Sequence, residues 1–87
     1  MKVKFHRKFE RQYKKLPNFL KKKTSTSIQL FTQNPTHFSL KNHPLKGRLK
    51  GLRSISVTGD IRIIFQEENN YMWGVFLSIG GHDKVYK

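Results

Sequence analysis

The 87-residue sequence predicts one α+β domain: an N-terminal strand, a two-helix hairpin, then a three-stranded antiparallel meander completing a single sheet. Three observations carry this. Phe9, Tyr13 and Leu16 recur at helical spacing on a charged background. The second half holds three runs with apolar residues at every other position. The connections between those runs are short enough for hairpins.

Taken in order, Lys2 to His6 alternates Val3 and Phe5 with charge, as a short strand does. An amphipathic helix follows from about Arg7 to Leu16 and is closed by Pro17. Proline suits the first turn of a helix, so Pro17 also opens a second one, whose stripe of Leu20, Thr24, Ile28 and Phe31 ends near Asn34-Pro35. The Lys-rich outer faces, including Lys14, Lys15 and Lys21 to Lys23, are left in solvent. THFSLKNHPLKGRLKG, residues 36 to 51, has two glycines, a proline and no periodicity, and reads as a surface loop. The strands are Leu52 to Thr58, Ile61 to Gln66 and Tyr71 to Ile79, with turns at Thr58-Gly59-Asp60 and around Glu68-Asn69-Asn70. Strict alternation puts Ile55, Val57, Ile61, Ile63, Phe65, Trp73, Val75, Leu77 and Ile79 under the helices. It leaves Ser54, Ser56, Arg62, Ile64, Phe76 and Ser78 on the opposite, open face.

Charge narrows the function classes. Residues 1 to 50 carry 14 Lys and Arg against Glu10 alone, whereas residues 51 to 87 carry four of each sign. A field of that size attracts polyanions, so nucleic acid, an acidic protein or an anionic membrane surface are the candidate partners. Zero cysteines remove disulfides and Cys-based zinc sites, and the four histidines lack metal-ligand spacing, so no metal or cofactor is expected. No stretch is apolar enough to cross a bilayer or direct export, and a cytoplasmic protein without a membrane partner is expected.

Within this frame a few residues have the chemistry to hold or cut RNA. Arg62 presents a planar fork of donors suited to a phosphate, unless it is spent on Glu67 or Asp83. His82 follows Gly80-Gly81 at the end of the last strand, and a histidine, with an ordinary pKa of about 6.5, exchanges protons near neutrality. His43 lies in the NHPLKG loop, Asp60 in the hairpin turn, and Tyr86 close to the C-terminus, where it can stack on a base or pin the chain end. His6 and His37 have no comparable context and read as structural.

NHPLKGRLKGLRSISVTGDIRIIF and IGGHDKVY, with the order of elements around them, resemble the RelE/ParE superfamily of type II toxin–antitoxin toxins over nearly all the chain. They are closest to its YafQ-like and YoeB-like members. That resemblance implies a ribosome-dependent endoribonuclease, an mRNA interferase, which cuts mRNA by metal-free attack of a ribose 2′-OH and is held in check by a cognate antitoxin. By the same likeness His43 and Asp60 match the loop His and turn Asp of the YafQ-like group, Arg62 the phosphate-binding Arg, His82 the C-terminal His that acts as acid, and Tyr86 the final aromatic. Lys46, Arg48, Lys50 and Arg53 would supply RNA contacts, with the basic helical hairpin docking on ribosomal RNA. Ser54 and Ser56 depart from the pattern, standing where RelE-like toxins carry lysines and where the YafQ-like group has a His at the second position. Two other functions compatible with the fold are a ParE-like gyrase inhibitor, indifferent to His82, and a catalytically weak or inactive RNA-binding homologue.

Overall fold

A computed structural model describes residues 1–86. Strand β1 (Lys2–Phe5) leads into helix α1 (Arg7–Lys14), and α2 (Asn18–Gln33) follows after Pro17. His6 starts α1 by accepting a hydrogen bond from the Lys8 N–H on its Nδ1 at 3.0 Å. His37 does the same for the short 3₁₀ turn Phe38–Leu40, accepting from Ser39 N at 3.2 Å. Both histidines are thus engaged in local structure.

The remaining strands are β2 (His43–Pro44), β3 (Arg53–Ser56), β4 (Ile61–Glu68) and β5 (Trp73–Gly81), and a four-residue helix α3 (His82–Val85) closes the described chain. They form one five-stranded sheet in the order β1-β5-β4-β3-β2. The meander β3-β4-β5 is antiparallel and β1 joins β5 in parallel, a pairing open to strands so far apart in the chain and closed to those joined by a tight hairpin. Residues 36 to 51 are more ordered than a plain loop. Two 3₁₀ turns frame His43–Pro44, which pairs with Arg53 and Ser54 and adds a fifth strand. Two residues with a proline among them are too short to show a period, which is why alternation missed them.

A correction concerns the faces of β5. Ile64 pairs with Ser78 but Phe65 pairs with Phe76, so Leu77 is an extra residue in the ladder. Such a bulge reverses the inside-outside alternation of everything before it. Phe76 therefore points under the helices, fully buried against Phe5, Phe9, Phe31 and Phe65 at ring-centroid distances of 5.5, 5.7, 5.5 and 6.3 Å. Trp73 and Val75 go to the other face, and Ile79, beyond the bulge, returns to the core. The helix-covered core is completed by Leu40, Ile55 and Ile63.

β1 ends opposite Phe76, so the β5 backbone loses its neighbour on that side. α1 supplies the replacement, because Gln12 Oε1 accepts from Ile79 N–H at 2.8 Å. The β4–β5 turn runs through Asn69, Asn70 and Tyr71, all at positive φ. Asparagine tolerates that region, and Tyr71 is held there by its N–H to Glu67 Oε2 (3.0 Å) and by Asn42 Nδ2 donating to its hydroxyl (3.1 Å). Among the described residues no helix is long and apolar enough to cross a membrane.

Candidate functional site

The face of the sheet away from the helices is built in rows. Cross-strand pairing aligns His43, Ser54, Ile64 and Ser78 in one row and Ser56, Arg62 and Gly80 in the next. The first row is partly roofed by the C-terminal segment. Ser54 and Ile64 are buried, and the Tyr86 hydroxyl lies 2.6 Å from Ser54 Oγ. Val85 lies over Gly80, its Cγ1 3.4 Å from where a Cβ would stand, which is van der Waals contact. Ser54 is therefore an anchor for Tyr86 and does not share an open surface with Arg62.

The β3–β4 turn sets where α3 begins. Thr58 Oγ1 accepts from the N–H groups of Asp60 (3.2 Å) and Ile61 (3.0 Å), an arrangement typical of Ser and Thr in turns. The Asp60 carbonyl accepts from His82 N–H at 2.8 Å, and its carboxylate lies over Gly81. Arg62 bends back to the same turn, donating from Nη1 to the carbonyls of Thr58 (2.6 Å) and Ile61 (3.3 Å). Among the described residues it has no acidic partner, and Nε and Nη2 remain available for an incoming anion.

The two histidines are held differently. His43 Nδ1 lies 2.8 Å from the carbonyl of Lys41, a left-handed residue at φ 50°. A carbonyl only accepts, so Nδ1 carries the proton and Nε2 of the neutral ring is a free acceptor. His82 is exposed on α3, its ring 4.4 Å from that of Tyr86 and edge-on to it, with Nδ1 3.6 Å from Asp83 Oδ1. Tyr86 connects them: it touches His82 and also lines a cavity of about 250 Å³ with His43, Leu45, Lys46, Arg48 and Leu49.

Of the residues predicted from sequence, the cavity thus gathers His43, Lys46, Arg48 and Tyr86; His82 touches Tyr86, while Asp60 and Arg62 gather at the β3–β4 turn, where the Asp60 carbonyl seats His82. Lys50 caps the second 3₁₀ turn, Gly47–Leu49, and does not line the cavity. Arg53 pairs with Phe65 and so faces the helix side, where its Nε donates to Asn42 Oδ1 at 2.8 Å. The Ser54 anchor and the Lys41 carbonyl had no sequence signal. Thr58 did, as a threonine leading into Gly-Asp. Among the described residues no three His, Cys, Asp or Glu side chains converge to hold a metal ion, and no Lys or Arg is ion-paired.

Comparison with known proteins gives a consistent picture. A family model described as the bacterial toxin YafQ of type II toxin–antitoxin systems matches residues 1–87. The solved YafQ from E. coli BL21(DE3) superposes with a TM-score of 0.77 at 20% identity, covering 98% of this chain and 97% of that one. A YoeB/ParE toxin from Agrobacterium tumefaciens gives 0.78 at 19% identity over 94% and 99%. The E. coli DinJ–YafQ complex gives 0.75 at 20% identity over 98% and 97%. A search of curated protein sequences returned no match.

Proposed function

The chain belongs to the YafQ family of type II toxin–antitoxin toxins, and on that premise we propose that it is a ribonuclease toxin that cuts mRNA on the ribosome in the cytoplasm. The observation that carries this is the state of His43: its Nδ1–H is committed to Lys41, which leaves Nε2 as a proton acceptor at a cavity with Lys46 and Arg48 on its wall. His43 thereby takes the base role left open by Ser54 and Ser56. A ribose 2′-OH gives its proton to His43 Nε2 as the oxygen attacks the adjacent phosphorus. The O2′–P bond forms as the P–O5′ bond breaks, and His82 in its imidazolium form protonates the departing O5′. Arg62 turns its free donors to the phosphate and stabilises the charge building on its oxygens. Every proton has a protein group to carry it, so this route needs no metal. The products are a 2′,3′-cyclic phosphate and a 5′-hydroxyl.

Ribosome docking rests on the unpaired cations of α1 and α2, which face solvent. Purified protein is expected to cut an mRNA in a translating extract and to leave the same RNA largely intact without ribosomes. Equal cutting of naked RNA would remove the ribosome from the scheme. Cutting is also expected to fall steeply as salt rises. Lysines seated on phosphates release condensed counterions into solution, and that release is less favourable the more salt the solution already holds.

The antitoxin seat lies on the helical side of the sheet, beside the same cations and away from the cleft. Phe5, Phe9, Tyr13 and Ile28 line an apolar groove of about 510 Å³ between α1, α2 and the β1 edge, and Phe5 is 45% exposed. A partner segment with an apolar stripe and acidic flanks fits there, covering both the groove and the neighbouring lysines. Phe5→Glu is expected to weaken the bound complex with a co-expressed antitoxin by more than about tenfold, as removal of a buried aromatic anchor does. Undiminished co-purification would move the seat elsewhere.

A further inference from the structure

Trp73 is the chain's single tryptophan, and the bulge at Leu77 turns it onto the open face of the sheet. Two ammonium groups converge on its ring, Lys4 Nζ at 4.9 Å and Lys2 Nζ at 5.5 Å from the centroid. Both project from β1, the outermost strand, beside Trp73 and Val75 in the register. Neither lysine is ion-paired among the described residues. The negative face of the ring attracts each cation, yet the two like charges gathered on it repel each other. An anion seated between them relieves that repulsion, and a planar base has the tryptophan ring to stack on once the lysines turn to a phosphate.

The place of this cluster indicates its occupant. It shares a face with Arg62, which pairs with Gly80 at the other end of β5, and the seven residue steps from Trp73 to Gly80 span roughly 23 Å at about 3.3 Å per step. The cleft is at the β2 edge and the cluster at the β1 edge of the same face, so a strand leaving the cleft reaches it by crossing that face over β3, β4 and β5, past Arg62. The apolar groove assigned to a protein partner is on the opposite side. We propose that Lys2, Lys4 and Trp73 form a second RNA contact, a two-lysine phosphate clamp with a stacking ring, which holds the strand several nucleotides from the bond that is cut. This rests on the ribonuclease reading for its substrate.

Because Trp73 is the only tryptophan, its emission reports this site alone. The experiment titrates the full chain with a fluorescein-labelled 2′-O-methyl RNA 12-mer, which cannot be cut, at low salt, following tryptophan emission and oligonucleotide anisotropy together. Saturable quenching is expected. The Lys2→Gln/Lys4→Gln variant, checked by its thermal melt, is expected to bind at least about tenfold more weakly and to lower the slope of log K against log salt by about 0.7, the value for one single-strand phosphate. Anisotropy that rises while emission stays silent overturns the clamp, as does a double variant that binds like wild type. Equal quenching by polyglutamate of matched charge assigns the cluster to an acidic protein instead and also overturns it. Failure of the clamp is separable from failure of the ribonuclease. Quenching by RNA from a protein that leaves mRNA uncut in translating extracts retains the clamp and removes the enzyme, while cutting with a silent Trp73 does the reverse.

Discussion

His82→Ala is expected to abolish growth arrest on inducible expression in bacteria, with mRNA cleavage lowered by about 10²–10⁴-fold, the usual contribution of a positioned acid. The side chain is exposed, and its removal takes away only the edge contact with Tyr86 and the approach to Asp83. The bond that seats α3 runs from the backbone N–H of His82 to the Asp60 carbonyl and survives the substitution. Absence of activity therefore reports chemistry rather than unfolding, provided the thermal melt is unchanged. Arg62→Ala should match it in severity, because the proposed role of the guanidinium is to hold the phosphate with the donors that the Thr58 and Ile61 carbonyls leave free. Mapping the 5′ ends of cellular mRNA decides the interpretation. New ends in translated frames, present in wild type and missing in both variants, support the assigned roles. Arrest that persists in His82→Ala without new ends would point to a different target such as gyrase.

Phe76→Ala is expected to destabilise the fold by about 3–5 kcal/mol, the range for a buried phenylalanine truncated to alanine. Small domains have only about 5–15 kcal/mol in total, so the substitution removes a large share. Phe76 is fully buried at the meeting point of four other rings, one each from β1, α1, α2 and β4. Val75→Ala, one residue earlier and on the other face, should cost far less. Urea melts of the two variants compare the faces of β5 directly. Strict alternation along the strand demands the opposite ranking, and finding it would mean that the bulge at Leu77 is misplaced.

These two predictions depend on different amounts of sequence information. His82 and Arg62 stand out as candidates in the sequence because of their residue type and their position next to a Gly-Gly pair or a tight turn. The same holds for the helices, where Phe9, Tyr13 and Leu16, then Leu20, Thr24, Ile28 and Phe31, declared their buried sides through spacing alone. The faces of β5 were not legible. WGVFLSIGG is apolar on both parities before the glycines, so the chain offers no local reason to prefer one face, and only packing of Phe76 against Phe9 and Phe31 decides it.

The candidate site divides along the same line. The sequence by itself determined an α+β domain, its helices and main strands and a basic first half, because each of these is a matter of composition or of spacing along one element, and its motifs resemble those of the toxin family. Tertiary structure alone decided that Ser54 anchors Tyr86, that Lys41 leaves His43 Nε2 free, that Arg53 turns to the helix side, and that Lys2 and Lys4 meet over Trp73. Most of these depend on sheet register and on a one-residue bulge. A side chain's neighbours across a sheet come from distant parts of the chain, and a single extra residue reverses which face they share.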